Sequence, residues 1–386
     1  MASSLNLFGT KRGVILVAAL LCVSAGLGWQ SSTRRRKHYL PSPAKTGTHG
    51  DLPYPPQDAL PGGRDVETPY GSIRVYEWGP EDGERVLFVH GITTPAVALG
   101  EMARAMAARG YRVMMFDLFG RGYSDAPSDL TYDTRLYVSQ ILLVLASSPI
   151  SWTKFRLIGY SFGGGVCVAF TRYFPHLVRS VCLTAPGGLI RRHHIGFWSW
   201  LYHNSGLLPE SLVKYLVRRR IRPDPEPVRV TAGSEKPING DRDPNGGPQF
   251  NCASVSKASK VTVSEVVTWQ VDNHEGFVMA FLSSIRNGPV YARQTREDFE
   301  CLSEILKRRR SGSMSDDNEA SGKVLLVLGK DDGLIIRDEC IEDAYAALGK
   351  DGVEVTIFDG GHEFPISAGA AVASSIDKTW RLEKLK

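Results

Sequence analysis

A serine flanked by glycines stands between a predicted strand and a predicted helix. The segment from Gly159 to Gly163 reads Gly-Tyr-Ser-Phe-Gly, with the apolar run Phe155–Ile158 before it and a helix-compatible stretch, Val166–Tyr173, after it. A strand that turns directly into a helix strains the residue at the turn, and glycine neighbours avoid a Cβ clash there. This context presents the hydroxyl of Ser161 at the end of a sheet, where it is a candidate nucleophile.

A nucleophilic serine needs a base and an acid that orients the base. Val324–Leu328 reads as a buried strand, and the loop after it carries Asp331 and Asp332. Val353–Phe358 reads as another strand, and a glycine-rich turn after it ends at His362. We predict that His362 is the base. For the acid we favour Asp332 over Asp331, because a glycine stands three residues before it, as is usual in such loops.

Acyl transfer also needs backbone N–H groups that stabilise a negatively charged oxygen. Arg85–Val89 reads as a strand, and the loop His90–Pro95 leaves it. We predict one donor at the N–H of Ile92 and the other at the N–H of Phe162, the residue after the nucleophile. His90 itself is expected to be structural, since a hydrogen bond from its ring would order this loop.

Together these segments resemble the α/β-hydrolases, in the large group of esterases, lipases and C–C hydrolases. In chain order the matching segments are His90-Gly91, Phe116–Asp125, Gly159–Gly163, Gly329–Asp332 and Gly361-His362. They cover most of residues 65 to 190 and 320 to 380. The elbow is similar to that of monoacylglycerol lipases and small carboxylesterases. Related elbows occur in ring-fission C–C hydrolases, whose oxyanion loop is commonly richer in glycine, whereas epoxide hydrolases and dehalogenases carry aspartate in place of the serine.

The resemblance implies a serine hydrolase that cleaves a carboxylic ester of an apolar or amphipathic small molecule through an acyl-enzyme, without metal or organic cofactor. Two alternatives stay open: hydrolysis of a C–C bond or thioester, and a catalytically inactive binding member of the fold. Cys167 falls in the helix after the elbow and is expected to be a small buried thiol. The adjacent His193 and His194 lack accompanying ligand spacing, so we expect no metal there.

Strands and helices alternate along most of the chain, which predicts an α/β-hydrolase fold with a mostly parallel, doubly wound sheet. The predicted core elements are strands at Ser72–Glu77, Arg85–Val89, Arg112–Leu118 and Val178–Thr184, and helices at Val97–Arg109 and Thr134–Ala146. The alternation stops near residue 189 and resumes at 323. We therefore predict core parts at 67–189 and 323–386, with a helical cap insertion at 190–322 between them.

Two helical stretches, Ile195–Val217 and Val263–Tyr291, are expected at the ordered ends of the cap. The first of them is rich in aromatic residues. The stretches 231–260 and 311–322 are rich in small and polar residues and are predicted to be mobile loops.

The first 37 residues are predicted to form a membrane anchor with basic flanks. Gly13–Thr33 carries no charge, and its first part is apolar enough to cross a bilayer. Four basic residues at Arg34–Lys37 outnumber the two before the apolar run, so the positive-inside rule places the catalytic domain in the cytosol. A secretory signal peptide and a mitochondrial presequence are the alternatives. Residues 38–66, rich in proline and glycine, are predicted to be a linker.

The composition suits one α/β core with an insertion, since 42% of the 386 residues are hydrophobic and 23% are charged. The net charge of +5 does not indicate nucleic acid, because seven basic residues precede the first acidic one, Asp51, and the remainder is slightly acidic. The six cysteines show no paired spacing, which favours a reducing compartment. The expected partners are therefore a small-molecule ester and a membrane, and not nucleic acid.

Overall fold

The computed structural model describes residues 38–47, 54–191, 208–222, 248–255, 260–313 and 320–383. The predicted anchor at Gly13–Thr33 lies outside these residues, as do His193 and His194. Within these ranges, no helix has both the length and the apolar character that crossing a membrane requires.

An eight-stranded sheet runs through the centre of the unit that begins at Tyr39, as far as the described ranges show. In spatial order its strands are β10 (Val353–Phe358), β9 (Val324–Gly329), β8 (Val178–Thr184), β7 (Phe155–Tyr160), β4 (Arg85–Val89), β5 (Arg112–Phe116), β3 (Gly71–Trp78) and β2 (Gly63–Thr68). The strands from β10 to β5 pair in parallel, whereas β3 and β2 are antiparallel. A short ladder also pairs β1 (Tyr39–Leu40) with β6 (Ala126–Pro127). The mostly parallel sheet expected from the sequence is thus confirmed.

Burial explains which strands the sequence reveals. The parallel strands β7 and β9 are buried along their whole length, because helices cover both faces of the sheet, and they therefore read as continuous apolar runs. The edge strand β2 alternates between exposed and half-buried residues and is mostly polar. Since it offers no apolar run, its start falls within the predicted linker at 38–66, which also contains a short helix, α1 (Pro43–Thr46).

The remaining elements of the core connect the parallel strands or follow the last of them in the chain, β10. They are α2 (Gly100–Ala107), preceded by a 3-10 turn at Ala96–Leu99, α3 (Thr134–Ala146), α4 (Phe162–Tyr173), α10 (Arg337–Leu348), a 3-10 turn at Lys350–Gly352, α11 (Phe364–Ser367) and α12 (Gly369–Glu383). The predicted helix at Thr134–Ala146 has the same bounds as α3, whose start is capped by the carboxylate of Asp133.

Several helices lie between β8 and β9. They are α5 (Glu210–Ile221), α6 (Pro248–Cys252), α7 (Val263–Asn273), α8 (Phe277–Asn287) and α9 (Ala292–Arg310). The helical periodicity predicted over Val263–Tyr291 corresponds to α7 and α8. The last of these helices, α9, packs on α4 and α10. Phe299, Leu302 and Leu306 recur at helical spacing and are buried, which gives α9 an apolar stripe toward that layer.

Candidate active site

Ser161 stands at the turn between β7 and α4, in a backbone conformation that residues with a side chain rarely adopt. Its φ is 52° and its ψ is −122°. Three backbone hydrogen bonds hold this turn: the N–H of Ser161 donates to the carbonyl of Thr184 at 3.0 Å, and its own carbonyl accepts from Gly164 at 2.8 Å and Gly187 at 2.7 Å. Because the surrounding backbone determines the conformation, the strain is compensated locally.

The two glycines of the elbow are required by close backbone contacts. A Cβ placed on Gly163 would lie 2.1 Å from the carbonyl oxygen of Val89, on the neighbouring strand. A Cβ on Gly159 would lie 2.6 Å from the carbonyl oxygen of Gly163. Both distances are far below van der Waals contact, so any side chain would displace the strand or the helix and with them the serine.

His362 and Asp332 meet Ser161 where the parallel strands end. The Nε2 atom of His362 lies 3.0 Å from the Oγ atom of Ser161, and its Nδ1 atom lies 2.8 Å from Oδ2 of Asp332. The exposed fractions are 8% for Ser161, 3% for His362 and 5% for Asp332. The structure therefore brings together the three residues predicted from the sequence, in a row that largely excludes water.

The carboxylate that faces the ring is that of Asp332 and not that of Asp331. The carboxylate oxygen of Asp332 that does not face the ring, Oδ1, accepts hydrogen bonds from the backbone N–H groups of Leu334 at 2.8 Å and Ile335 at 2.9 Å. Asp331 is exposed. Because two donors hold Oδ1, the other oxygen, Oδ2, is directed at the imidazole of His362. This contact favours the tautomer of His362 that carries its hydrogen on Nδ1, so that Nε2 is the hydrogen-bond acceptor.

The histidine loop is fixed from two further sides. The hydroxyl of Tyr160 donates to the carbonyl of His362 at 2.8 Å. The ring of Phe250, on α6, lies with its centroid 5.5 Å from that of the imidazole. These contacts connect the base to the strand that carries the elbow and to the segment between β8 and β9, and so restrict the rotation of the ring.

The predicted oxyanion donors lie beside the serine. Phe162 is the first residue of α4, so its N–H has no partner within the helix and lies at the positive end of the helix dipole. On the other side, a Cβ on Gly91 would lie 3.5 Å from the Cβ of Ser161. The loop that carries Ile92 therefore passes directly next to the nucleophile.

His90 orders this loop, as expected from the sequence. Its Nε2 atom accepts from the N–H of Leu118 at 2.8 Å, and its Nδ1 atom lies 2.7 Å from the carbonyl oxygen of Gly91. Burial lowers the pKa of His90 to about 3, so the ring is neutral and its hydrogen is on Nδ1. Carbonyl and N–H of one trans peptide point in opposite directions, so this bond also sets the direction of the Ile92 N–H.

Cys167 and a buried carboxylate after β5, Asp117, both have structural roles. Cys167 is fully buried, which raises the pKa of its thiol well above the ordinary value and confirms that it is an unreactive core residue. Asp117 accepts hydrogen bonds from the N–H groups of Ala96 at 2.8 Å and Tyr123 at 2.9 Å, while burial raises its pKa to about 6. In the part of the chain that the structure covers, no group of three or more His, Cys, Asp or Glu side chains is arranged to hold a metal ion.

Sequence reasoning missed two polar residues that contact the predicted oxyanion loop. Arg121, in the segment Phe116–Asp125, donates from Nε to the carbonyl of Ile92 at 3.1 Å. Gln270, on α7, donates from Nε2 to the carbonyl of Thr93 at 2.9 Å. A usable signal existed for the arginine, since it is the one charged residue between two glycines in a turn, but nothing in the sequence pairs the glutamine with that loop.

Comparison with known proteins gives a family match over the first part of the core and several partial matches to relatives. The family model described as the α/β-hydrolase fold matches residues 84–209. A serine hydrolase-like protein from Danio rerio is 29% identical over 126 residues, which are 32% of this chain and 38% of that protein. A serine hydrolase-like protein from Homo sapiens is 33% identical over 119 residues, which are 31% of this chain and 57% of that protein. The chain thus spans well under two thirds of the length of these relatives.

The likeness to solved structures extends further along the chain. A membrane phospholipase A, described as a bacterial virulence factor, aligns with a TM-score of 0.56 over 97% of this chain and 99% of that one, at 17% identity. At this identity the likeness shows the shared fold. The family match, by contrast, includes Ser161 and the predicted oxyanion loop but ends before Asp332 and His362.

Proposed function

Because the chain belongs to the α/β-hydrolase superfamily, we propose that it is a serine hydrolase that cleaves a carboxylic ester through an acyl-enzyme. One observation carries the proposal: Ser161 Oγ lies 3.0 Å from His362 Nε2, whose other ring nitrogen lies 2.8 Å from Asp332. A nucleophile, a base and an orienting acid in a row are the requirement for this chemistry.

In the first half-reaction, Ser161 Oγ attacks the carbonyl carbon of the ester while His362 Nε2 takes the hydroxyl proton. The carbonyl oxygen becomes an anion, which the N–H groups of Ile92 and Phe162 would stabilise. The intermediate then collapses: the C–O bond to the alcohol breaks, and the alcohol leaves with the proton from His362. Asp332 stays ionised and stabilises the imidazolium throughout.

In the second half-reaction, water replaces the alcohol. His362 Nε2 takes a proton from the water, whose oxygen attacks the acyl carbon. The second intermediate releases Ser161 Oγ, which regains its proton from His362, and the carboxylic acid leaves. Each proton that the base accepts is returned, so the residues present are sufficient and no cofactor is needed for this cycle.

For the substrate we propose an apolar or amphipathic small ester. Three aromatic side chains lie next to the triad: Tyr160 and Phe250 contact the imidazole, and Phe162 follows the serine. The helices α7 and α8 also have buried apolar side chains, among them Val266, Phe277 and Phe281. Aromatic side chains beside the reacting groups favour ligands that are largely apolar.

Attachment to a membrane is a second part of the proposal. The uncharged segment Gly13–Thr33, followed by the basic residues Arg34–Lys37, would hold the catalytic domain at a bilayer, from which apolar esters could enter. Fractionation of cells that express the full chain, compared with a chain that starts at residue 38, tests this. Recovery of both chains in the same fraction would contradict it.

The catalytic proposal is tested by labelling with a fluorophosphonate probe and by turnover of a panel of esters, thioesters and vinylogous diketones. We expect the wild-type chain to label and to prefer esters, and Ser161→Ala and His362→Ala to do neither. Preference for thioesters or diketones would favour the alternative hydrolase reactions. A folded wild-type chain that neither labels nor turns over any substrate would indicate an inactive binding member of the fold.

A further inference from the structure

Arg121 is a fully buried arginine close to the predicted oxyanion loop. Its exposed fraction is 0%. Besides the Nε bond to the carbonyl of Ile92, Nη1 donates to the carbonyl of Phe119 at 2.9 Å and to the hydroxyl of Tyr137 at 3.0 Å, and Nη2 donates to Ser284 Oγ at 2.9 Å. One guanidinium thus connects the loop to α3 and to the cap helix α8.

The described acceptors of Arg121 are all neutral: two backbone carbonyls and two hydroxyls. Within the described ranges no carboxylate forms an ion pair with it, although burying an arginine without such a partner is costly. The cost is offset by four hydrogen bonds in a closed network, since Tyr137 and Ser284 also bond to each other at 2.6 Å between their oxygens. A buried charge with this desolvation cost is expected only where its position matters for structure or function.

Gln270 makes a parallel connection from α7. Its Nε2 donates to the carbonyl of Thr93, and its Oε1 accepts from the N–H of Gly122 at 2.9 Å. The side chain is fully buried. Two consecutive carbonyls of the loop, those of Ile92 and Thr93, are therefore held by side chains that are themselves anchored to the cap helices α7 and α8.

We propose that Arg121 and Gln270 are positioning residues that couple the cap to the predicted oxyanion loop, so that the loop is correctly shaped only while the cap helices are seated on the core. The inference rests on the proposed function, because it concerns the donor of that same site. His90 sets the peptide that carries the Ile92 N–H, and Arg121 and Gln270 set the next two peptides.

The physical reason lies in how steeply stabilisation depends on donor placement. Donors act only when they lie at hydrogen-bond distance from the oxygen of the transition state, and not from that of the bound ester. A loop that shifts because its carbonyls lose their partners would still bind the apolar part of the substrate. It would stabilise the transition state less, so the defect falls on kcat and leaves KM nearly unchanged.

The test compares Arg121→Met and Gln270→Met with Arg156→Met. Arg156 is the matched control, because it is a buried arginine on β7 that lies at the amino ends of the strands, away from the oxyanion loop. It bonds to Glu84 at 2.8 Å and to Ser180 at 3.0 Å. Each variant is assayed for kcat, KM and thermal stability, and for inhibition by an alkyl trifluoromethyl ketone, whose adduct with a serine places an oxyanion in the hole.

We expect Arg121→Met and Gln270→Met to lower kcat by about 10- to 100-fold with KM changed less than about twofold, somewhat below the loss from removing a donor outright. Affinity for the trifluoromethyl ketone should fall in the same proportion as kcat/KM. Arg156→Met should lose stability while kcat stays within about twofold of the wild type.

The inference is overturned if the folded Arg121 and Gln270 variants keep wild-type kcat, or if Arg156→Met loses kcat to the same degree. If Arg121→Met does not fold, Gln270→Met alone decides between these outcomes. Ser161→Ala separates the two proposals: full turnover by that variant refutes the serine hydrolase, whereas a dead Ser161→Ala beside fully active Arg121 and Gln270 variants refutes only the coupling.

Discussion

The buried arginines at the two ends of the parallel strands differ in their partners. At the amino ends, Arg156 and Arg179 both contact Glu84 at 2.8 Å, and Arg112 lies 3.1 Å from Glu77. At the carboxyl ends, the buried guanidinium of Arg121 has only neutral acceptors among the residues that the structure describes. The first arrangement neutralises charge locally, whereas the second leaves a positive charge near the reaction.

Buried histidines follow the same division. His90 and His274 both lie at the carboxyl-end side, and burial lowers their pKa to about 3 and about 4. Both stay neutral and hold backbone groups, His274 through the carbonyl of Ser124 at 2.9 Å. We infer that the amino ends serve stability and that the carboxyl ends accept a cost in stability to keep backbone donors aimed at the serine, the usual compromise at functional sites.

The largest effect is expected at the triad itself. Asp332→Asn should lower kcat by about 10⁴-fold, because an amide in place of the carboxylate reverses the tautomer of His362. Ester turnover measured on the purified chain gives the size of the loss. Asp331→Asn is the matched control: it changes an exposed carboxylate in the same loop and should leave kcat unchanged. Equal losses in the two variants would contradict the assignment of the acid.

The amino ends should show the reverse, a loss of stability without a loss of activity. Glu77 is 5% exposed and lies 2.9 Å from Arg64 and 3.1 Å from Arg112. Glu77→Gln leaves both arginines without a carboxylate and should reduce the free energy of unfolding by about 3 kcal/mol. Urea unfolding measures this change, and the remaining folded protein should keep its kcat. A fall in kcat without a change in stability would erase the distinction between the two ends.

The smallest effect concerns acidification. Since burial lowers the pKa of His274 from 6.5 to about 4, its contribution to stability is present above pH 6.5 and is lost as the pH falls toward 4. His274→Gln removes this dependence. Between pH 7 and pH 5 the wild type should therefore lose about 2 kcal/mol more than the variant in free energy of unfolding. The raised pKa of Asp117 changes stability with pH in the opposite direction, but this contribution is the same in both chains and cancels in the difference.

Parallel pH profiles for the two chains in urea unfolding would show that His274 is not buried neutral in solution. A steeper loss in the wild type would sharpen the comparison, because it would show that a buried neutral histidine at the carboxyl ends lowers stability in mild acid.

The strands of the core could be predicted closely wherever burial leaves an apolar run. The strands at Arg85–Val89, Val178–Thr184 and Val353–Phe358 have the predicted bounds, as does the helix at Thr134–Ala146. The edge strand Gly63–Thr68 could not be predicted, since an antiparallel edge needs neither apolar residues nor helical cover. The packing partners of α9 could not be predicted for a related reason: an amphipathic helix shows that it has a partner but not which one.

The sequence by itself determined the order of the functional segments: a serine between glycines, an acid after one strand and a histidine after the next. Such local signals can be recognised in the sequence because each depends on a turn of a few residues. Only the tertiary structure decided that Asp332 rather than Asp331 faces His362, and that Arg121 and Gln270 meet the loop at Ile92 and Thr93. Those contacts join residues far apart in the chain, and their geometry is set by packing, which no local pattern encodes.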